Sequence, residues 1–307
     1  MSFRATVFFI TLMVFAASAD ARNAAARTAA GGTLKPVITW LSLDWQPAWI
    51  FDGPFRGQGY AQQSEHLIRT NLRGYKHQHQ RVNNSRIYST IRRKDACFAA
   101  SSYKGVDLDE ERKKNIIWSA PIFLFFYHGV IVRKPDQAKI TKYVNNGFVD
   151  FSLLLEDQNL LGAFEPGRAY SRWIDSLLKD GSQSQQLFRW GTNEHLTQRM
   201  FNMLDAKRFD YFVDYHLVLR FHELSRGSKS QYSYLPLLEH RGKFGLGAIA
   251  CNNSPKGRKL IADINTILKD LRLRPAFQDA SSRWLMPEAQ KDQYRDLWQS
   301  ELLSKLE

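Results

Sequence analysis

The stretch "YKHQHQRVNNSRIYSTIRRKDACFAAS", residues 75–101, decides the fold class. Residues 75–82 read as a polar strand, 84–94 as a helix and 95–101 as an apolar strand. Upstream, "VITWLSL" at 37–43 is a β-branched and aromatic run that predicts a first strand. It is followed by "DWQPAWIFDGPFRGQGY", a loop punctuated by Pro and Gly, and by a helix over 61–72. The order is therefore βαβαβ. Such alternation implies an α/β fold with a parallel sheet and helices on its faces, in which ligands collect beyond the carboxyl ends of the strands.

Downstream, "NIIWSAPIFLFFYHGVIV" at 115–132 is long and apolar enough to cross from one lobe to another, and the α/β pattern then restarts on a smaller scale. Residues 152–159 read as a short helix, 160–164 as a strand, "EPG" as a turn and 168–180 as a helix. A strand at 186–190, a helix at 192–207 and a strand at 209–219 complete the second lobe. "KFGLGAIAC" is a further strand, and the helix after it is well marked. Ser254 can cap it, Pro255 opens it, and Leu260, Ile261, Ile264, Ile267, Leu268 and Leu271 share one face. A helical tail over 288–303 closes the chain. The expected organisation is a first lobe over 35–128, a second over 129–239, and a return to the first lobe over 240–307.

With 307 residues, 44% of them hydrophobic, the chain has more than one lobe's worth of core. Arg4, the apolar run at 7–17 and the small residues Ala17-Ser18-Ala19 and Ala19-Asp20-Ala21 read as a signal peptide over 1–21, cleaved on export. The run is about half of a bilayer span. Residues 22–34 read as a disordered lead-in. Formal charge is +13 and the isoelectric point is near 9.7. Basic residues are scattered among acids with no nucleic-acid motif, which argues against a nucleic-acid partner. Only Cys97 and Cys251 are present. In an exported protein they can bridge, closing a loop of roughly 150 residues worth about 5 kcal/mol in the chain-entropy model, or they can stay as buried thiols. The third strand and the returning strand are expected to be neighbours, which favours the bridge.

A discontinuous first lobe, an inserted second lobe and an export signal resemble the type 2 periplasmic solute-binding proteins. The likeness is to family 3, the class that serves ABC importers of polar amino acids, in a divergent branch with paired cysteines. Three patterns carry it. "LDWQPAWIFDGPFRGQGY" looks like the family's aromatic-Pro-Pro-aromatic stretch, with Trp45 as first aromatic, Gln46 at the first proline and the second aromatic displaced to Trp49. "DEERKKNIIWSAP" at 109–121 resembles the Thr-x-x-Arg segment before "FS-x-P", with Asp109 where the family has Thr. "FDYFVDYH" resembles the strand that ends in an acid at the second lobe's mouth.

The resemblance implies a set of ligand residues. Arg112 would grip a carboxylate through its planar fork of donors, unless Asp109 or Glu110 consumes it. Asp214 would receive a cationic group, its other reading being a strand-end acid that caps a turn. Gly167, Arg168, Tyr170 and Ser171 form a strand-to-helix corner whose free amides suit an anion, and equally an ordinary helix entrance. Trp45 and Trp49 would cover the apolar part of a ligand or else pack in the core. Asp44 and Ser102 complete the set. His66, His77 and His79 lack the converging partners of a zinc site, and Ser64-Glu65-His66 is adjacency rather than a catalytic triad. The expectation is a periplasmic, monomeric binder with no cofactor, no metal and no catalysis. It would hand a small polar, amino-acid-like solute to an ABC transporter's membrane component or to a membrane sensor. The alternatives are an exported dehydratase-like enzyme on the same fold and a ligand-sensing regulatory domain.

Overall fold

The computed structural model describes residues 35–165, 168–179, 187–189, 196–227 and 231–304. The signal peptide and lead-in expected over 1–34, and Gly167 of the corner, lie outside the described residues. The chain from β1 (Val37–Ser42) runs through α1 (Tyr60–Asn71), β2 (Lys76–Arg81), α2 (Ile87–Arg93) and β3 (Ala96–Ser102). This is the βαβαβ unit, with β1 paired in parallel to both β2 and β3. After β1's first residue every side chain is buried, as a strand covered on both faces requires, with Thr39 and Ser42 buried alongside Ile38, Trp40 and Leu41. β2 is polar because it is the edge strand, where Lys and Arg discourage further pairing.

Two short strands follow, β4 (Ile116–Trp118) and β5 (Phe123–Phe126), and then β6 (Gly129–Arg133) begins a second sheet. That sheet gains β7 (Gly162–Phe164), α3 (Arg172–Lys179), β8 (Leu187–Arg189), α4 (Leu196–Asp205), β9 (Tyr211–Asp214), α5 (His216–Arg226) and β10 (Tyr232–Pro236). The chain then returns as β11 (Phe244–Asn252), followed by α6 (Pro255–Leu271) and α7 (Pro275–Leu285). The first sheet has the order β2-β1-β3-β11-β4 with β5 also on β11; the second is β8-β7-β9-β6-β10. Parallel pairing holds for β2-β1-β3 and for β8-β7-β9. The strands that carry the chain out of and back into a sheet must run in opposite senses. β5 against β11, and β6 against β10, therefore supply antiparallel pairs, and each sheet is mixed.

In the second lobe, Val130 and Val132 face one apolar cluster and Ile131 the other, the period of two expected of a strand covered on both sides. α6 has the cap read from its sequence: Ser254 Oγ accepts the Gly257 N–H at 3.1 Å, with Pro255 in the first turn. Cys97 and Cys251 sit opposite each other on β3 and β11 with Cα atoms 4.2 Å apart and form a disulfide, which closes the free-thiol alternative. The helix expected over 168–180 begins only at Arg172, and two further elements differ from expectation. The strand expected over 209–219 stops at Asp214 and turns into α5, because Leu217, Val218 and His222 bury one helical face; a short apolar run does not distinguish the two periods. α7 also precedes the helical tail. On it Trp284 packs edge-on to Phe55 and near Phe221 of α5.

Candidate functional site

A cavity of about 940 Å³ lies between the two sheets. Its wall on the first lobe comes from the carboxyl ends of three strands: Asp44 and Trp45 after β1, Asn83 and Asn84 after β2, and Ser102 at the end of β3. The second lobe contributes Glu165 and Arg168 after β7 and Tyr215 after β9. Phe123 and Phe125 on β5 also line it. They lie across β11, where Gly245 and Gly247 stand in register with them; a Cβ on Gly247 would come within 2.0 Å of the Phe123 ring. Glycine on the strand thus lets two rings lie flat against it.

The lobes meet around this space. Thr197 Oγ of the second lobe donates to the Gln46 carbonyl of the first at 3.2 Å. The Trp45 ring lies 6.0 Å from that of Tyr215. Arg168 is the centre of the second lobe's wall. Its guanidinium donates to both oxygens of Asp214, at 2.6 and 3.1 Å, and its Cζ lies 4.9, 5.2 and 5.3 Å from the rings of Tyr170, Trp45 and Tyr215. Arg168 and Asp214 side chains are 10% and 7% exposed, so both charges are desolvated and depend on each other. Burial pulls the Arg168 pKa down, but the Asp214 carboxylate beside it outweighs this and holds it well above the usual value. Burial, with Arg168 and His240 nearby, holds His128 well below its usual value, so its imidazole stays neutral against the guanidinium. Burial raises Glu165, against the pull of Arg168, and raises Asp107 to about 6 with help from Asp175.

Of the residues selected from sequence, Asp44, Trp45, Ser102 and Arg168 line the cavity. Asp214 stands directly behind Arg168 and is held by it. Tyr170 is buried and its hydroxyl accepts the Glu165 N–H at 2.8 Å. Ser171 is a helix cap, accepting from Ile174 N at 3.2 Å at the start of α3. Because that helix begins only at Arg172, Arg168 lies in the preceding loop and is free to reach across to Asp214. Trp49 does not line the cavity; it is 2% exposed and stacks on Phe98 inside the first lobe. Arg112 does not line it either. Asp109 caps the short helix Glu110–Lys113 by accepting Arg112 N at 2.8 Å, and its carboxylate lies 3.7 Å from Arg112 Nε. Only Asp107 and Leu108 of that region reach the cavity. Glu165, Tyr215, Asn84 and Tyr60 escaped the sequence reading. For Glu165 and Tyr215 the signal was present, since each directly follows a strand of the second sheet. Elsewhere, His77 Nδ1 accepts from Trp40 Nε1, and Glu65 pairs with Arg69 at 3.0 Å.

No protein-family model matches the sequence, and no curated protein matches it. Solved structures do. A Salmonella typhimurium periplasmic binding protein described for its high arginine specificity shares 13% identity over 82% of this chain and 100% of its own, with a TM-score of 0.57. A putative L-cystine ABC transporter protein from Listeria monocytogenes shares 12% over 85% and 98%, with a TM-score of 0.61. A histidine kinase sensor domain with similarity to periplasmic binding proteins shares 15% over 82% and 96%, with a TM-score of 0.58. The chain has the two-lobed fold of these proteins.

Proposed function

We propose that this protein is an exported solute-binding protein that closes its two lobes over a small polar solute and presents it to an ABC importer. The observation that carries this reading is the cavity itself. It is shared between lobes at the carboxyl ends of both sets of strands and is walled by desolvated charged groups and rings. Such a space suits capture by burial, with affinity supplied by fixed donors and ring faces and no bond made or broken. Two crossing segments join the lobes, between Phe126 and Gly129 and between Pro236 and Phe244, and suit hinge closure around a ligand. Delivery to a membrane sensor is the second reading, favoured by the shared fold of the histidine kinase sensor domain.

The test is a thermal-shift screen of the purified chain against amino acids, small carboxylates, sugars and polyamines. A true solute at a hundredfold its Kd adds about 2.7 kcal/mol of stability by mass action. It is recovered unchanged after long incubation; conversion to a product would establish the enzyme reading instead. A chain that no class of small polar solute stabilises would overturn the proposal.

A further inference from the structure

We infer that Arg168 is a built-in cation: its side chain occupies the cation-accepting half of the site, so that the solute is a small carboxylate without an ammonium or guanidinium group. This rests on the solute-binding reading above and names the solute's class. A carboxylate ringed by aromatic faces is a general receptor for organic cations, because the rings present their negative quadrupole faces and the acid supplies the counter-charge. Asp214 with Trp45, Tyr170 and Tyr215 has that composition, and the group inside it belongs to the chain. Arg168 engages both carboxylate oxygens, and Asp214 Oδ1 also accepts the Tyr215 N–H at 2.8 Å.

From the cavity, Arg168 is encountered and Asp214 is not, so a solute ammonium approaching this wall would meet like charge before it met the acid. Glu165, Asp44 and Asp107 also line the cavity. With the Arg168–Asp214 pair set aside, four basic side chains, Arg81, Arg86, Arg93 and Lys94, stand against those three acids, leaving a positive excess. A solute carboxylate would be drawn by that excess rather than by the Arg168 fork, whose two terminal nitrogens already face Asp214, and Ser102 and Asn83 provide neutral partners on the facing wall.

The decisive variant is Arg168→Ala, titrated with methylguanidinium while stability is followed by thermal unfolding. Vacating the cage should create a saturable site for methylguanidinium with at least tenfold higher affinity than the wild type shows, and R168A/D214N should lose it. An R168A protein that folds and responds no more than wild type overturns the built-in cation. Wild-type calorimetry with matched pairs, succinate against aspartate and glutarate against glutamate, needs no variant to fold. At least tenfold preference for the member without the amine is expected, and preference for the amino acid overturns the inference. Wild type that ignores every member removes the carboxylate assignment, while the solute-binding reading stands or falls with the wider thermal-shift screen; methylguanidinium rescue of R168A still establishes the internal cation.

Discussion

The two walls of the cavity are held in place by different physics. On the first lobe, the polar lining sits at strand ends of a sheet stapled by Cys97–Cys251 and floored by glycine under aromatic rings, while its basic residues Arg86, Arg93 and Lys94 are exposed. On the second lobe, one desolvated ion pair, Arg168–Asp214, organises the wall, and the rings of both lobes close on it. The lesson concerns where electrostatics matters. A charge kept in water is cheap to lose, whereas a charge taken out of water binds its neighbours to it.

The sharpest way to break the comparison is to remove one member of the buried pair. Asp214→Ala leaves the Arg168 guanidinium buried without its counter-charge and should cost about 3–5 kcal/mol in denaturant unfolding. A loss under about 1 kcal/mol would mean that water reaches the pair. The corresponding test of the first lobe is Cys97→Ser with Cys251→Ser, expected to cost about 2–4 kcal/mol, with the wild type falling by as much under reducing conditions. Gly247→Ala forces Phe123 off β11 and should cost about 1–3 kcal/mol as an overpacked substitution, read as a lower denaturation midpoint at unchanged m-value.

A smaller effect follows from His128, which burial keeps neutral beside Arg168 in the folded state. Unfolded, the same imidazole takes up a proton near pH 6.5, so its contribution is intact above that pH and is lost as the pH falls below it. His128→Gln should therefore flatten the decline in stability between pH 7 and 5.5 by about 1 kcal/mol relative to wild type. The smallest change is expected at the exposed rim: Arg93→Ala should stay within about 0.5 kcal/mol. A rim substitution that matched Asp214→Ala would erase the distinction between the walls.

How much of this was legible beforehand depends on the range of the forces involved. Strand alternation, the polar strand "KHQHQR" and the Ser254–Pro255 helix entrance are local, set by residues within a few positions of each other. The disulfide was legible as well, because only two cysteines exist and two strands had to lie side by side. Arg168 could be named from its place after a strand, but its role could not. Its partner lies 46 residues away, and it reaches that partner only because the helix starts at Arg172 rather than at the corner. Trp49 and Arg112 show the converse. Each has the residue type a ligand site uses, yet Trp49 stacks on Phe98 inside the first lobe, and Arg112 lies off the cavity with its Nε 3.7 Å from the Asp109 carboxylate. The sequence by itself determined the α/β alternation and the strand ends at which a site could form, because periodicity and turn chemistry act locally. Only the tertiary structure decided which charges lose their water there, because desolvation depends on what the rest of the chain packs around them.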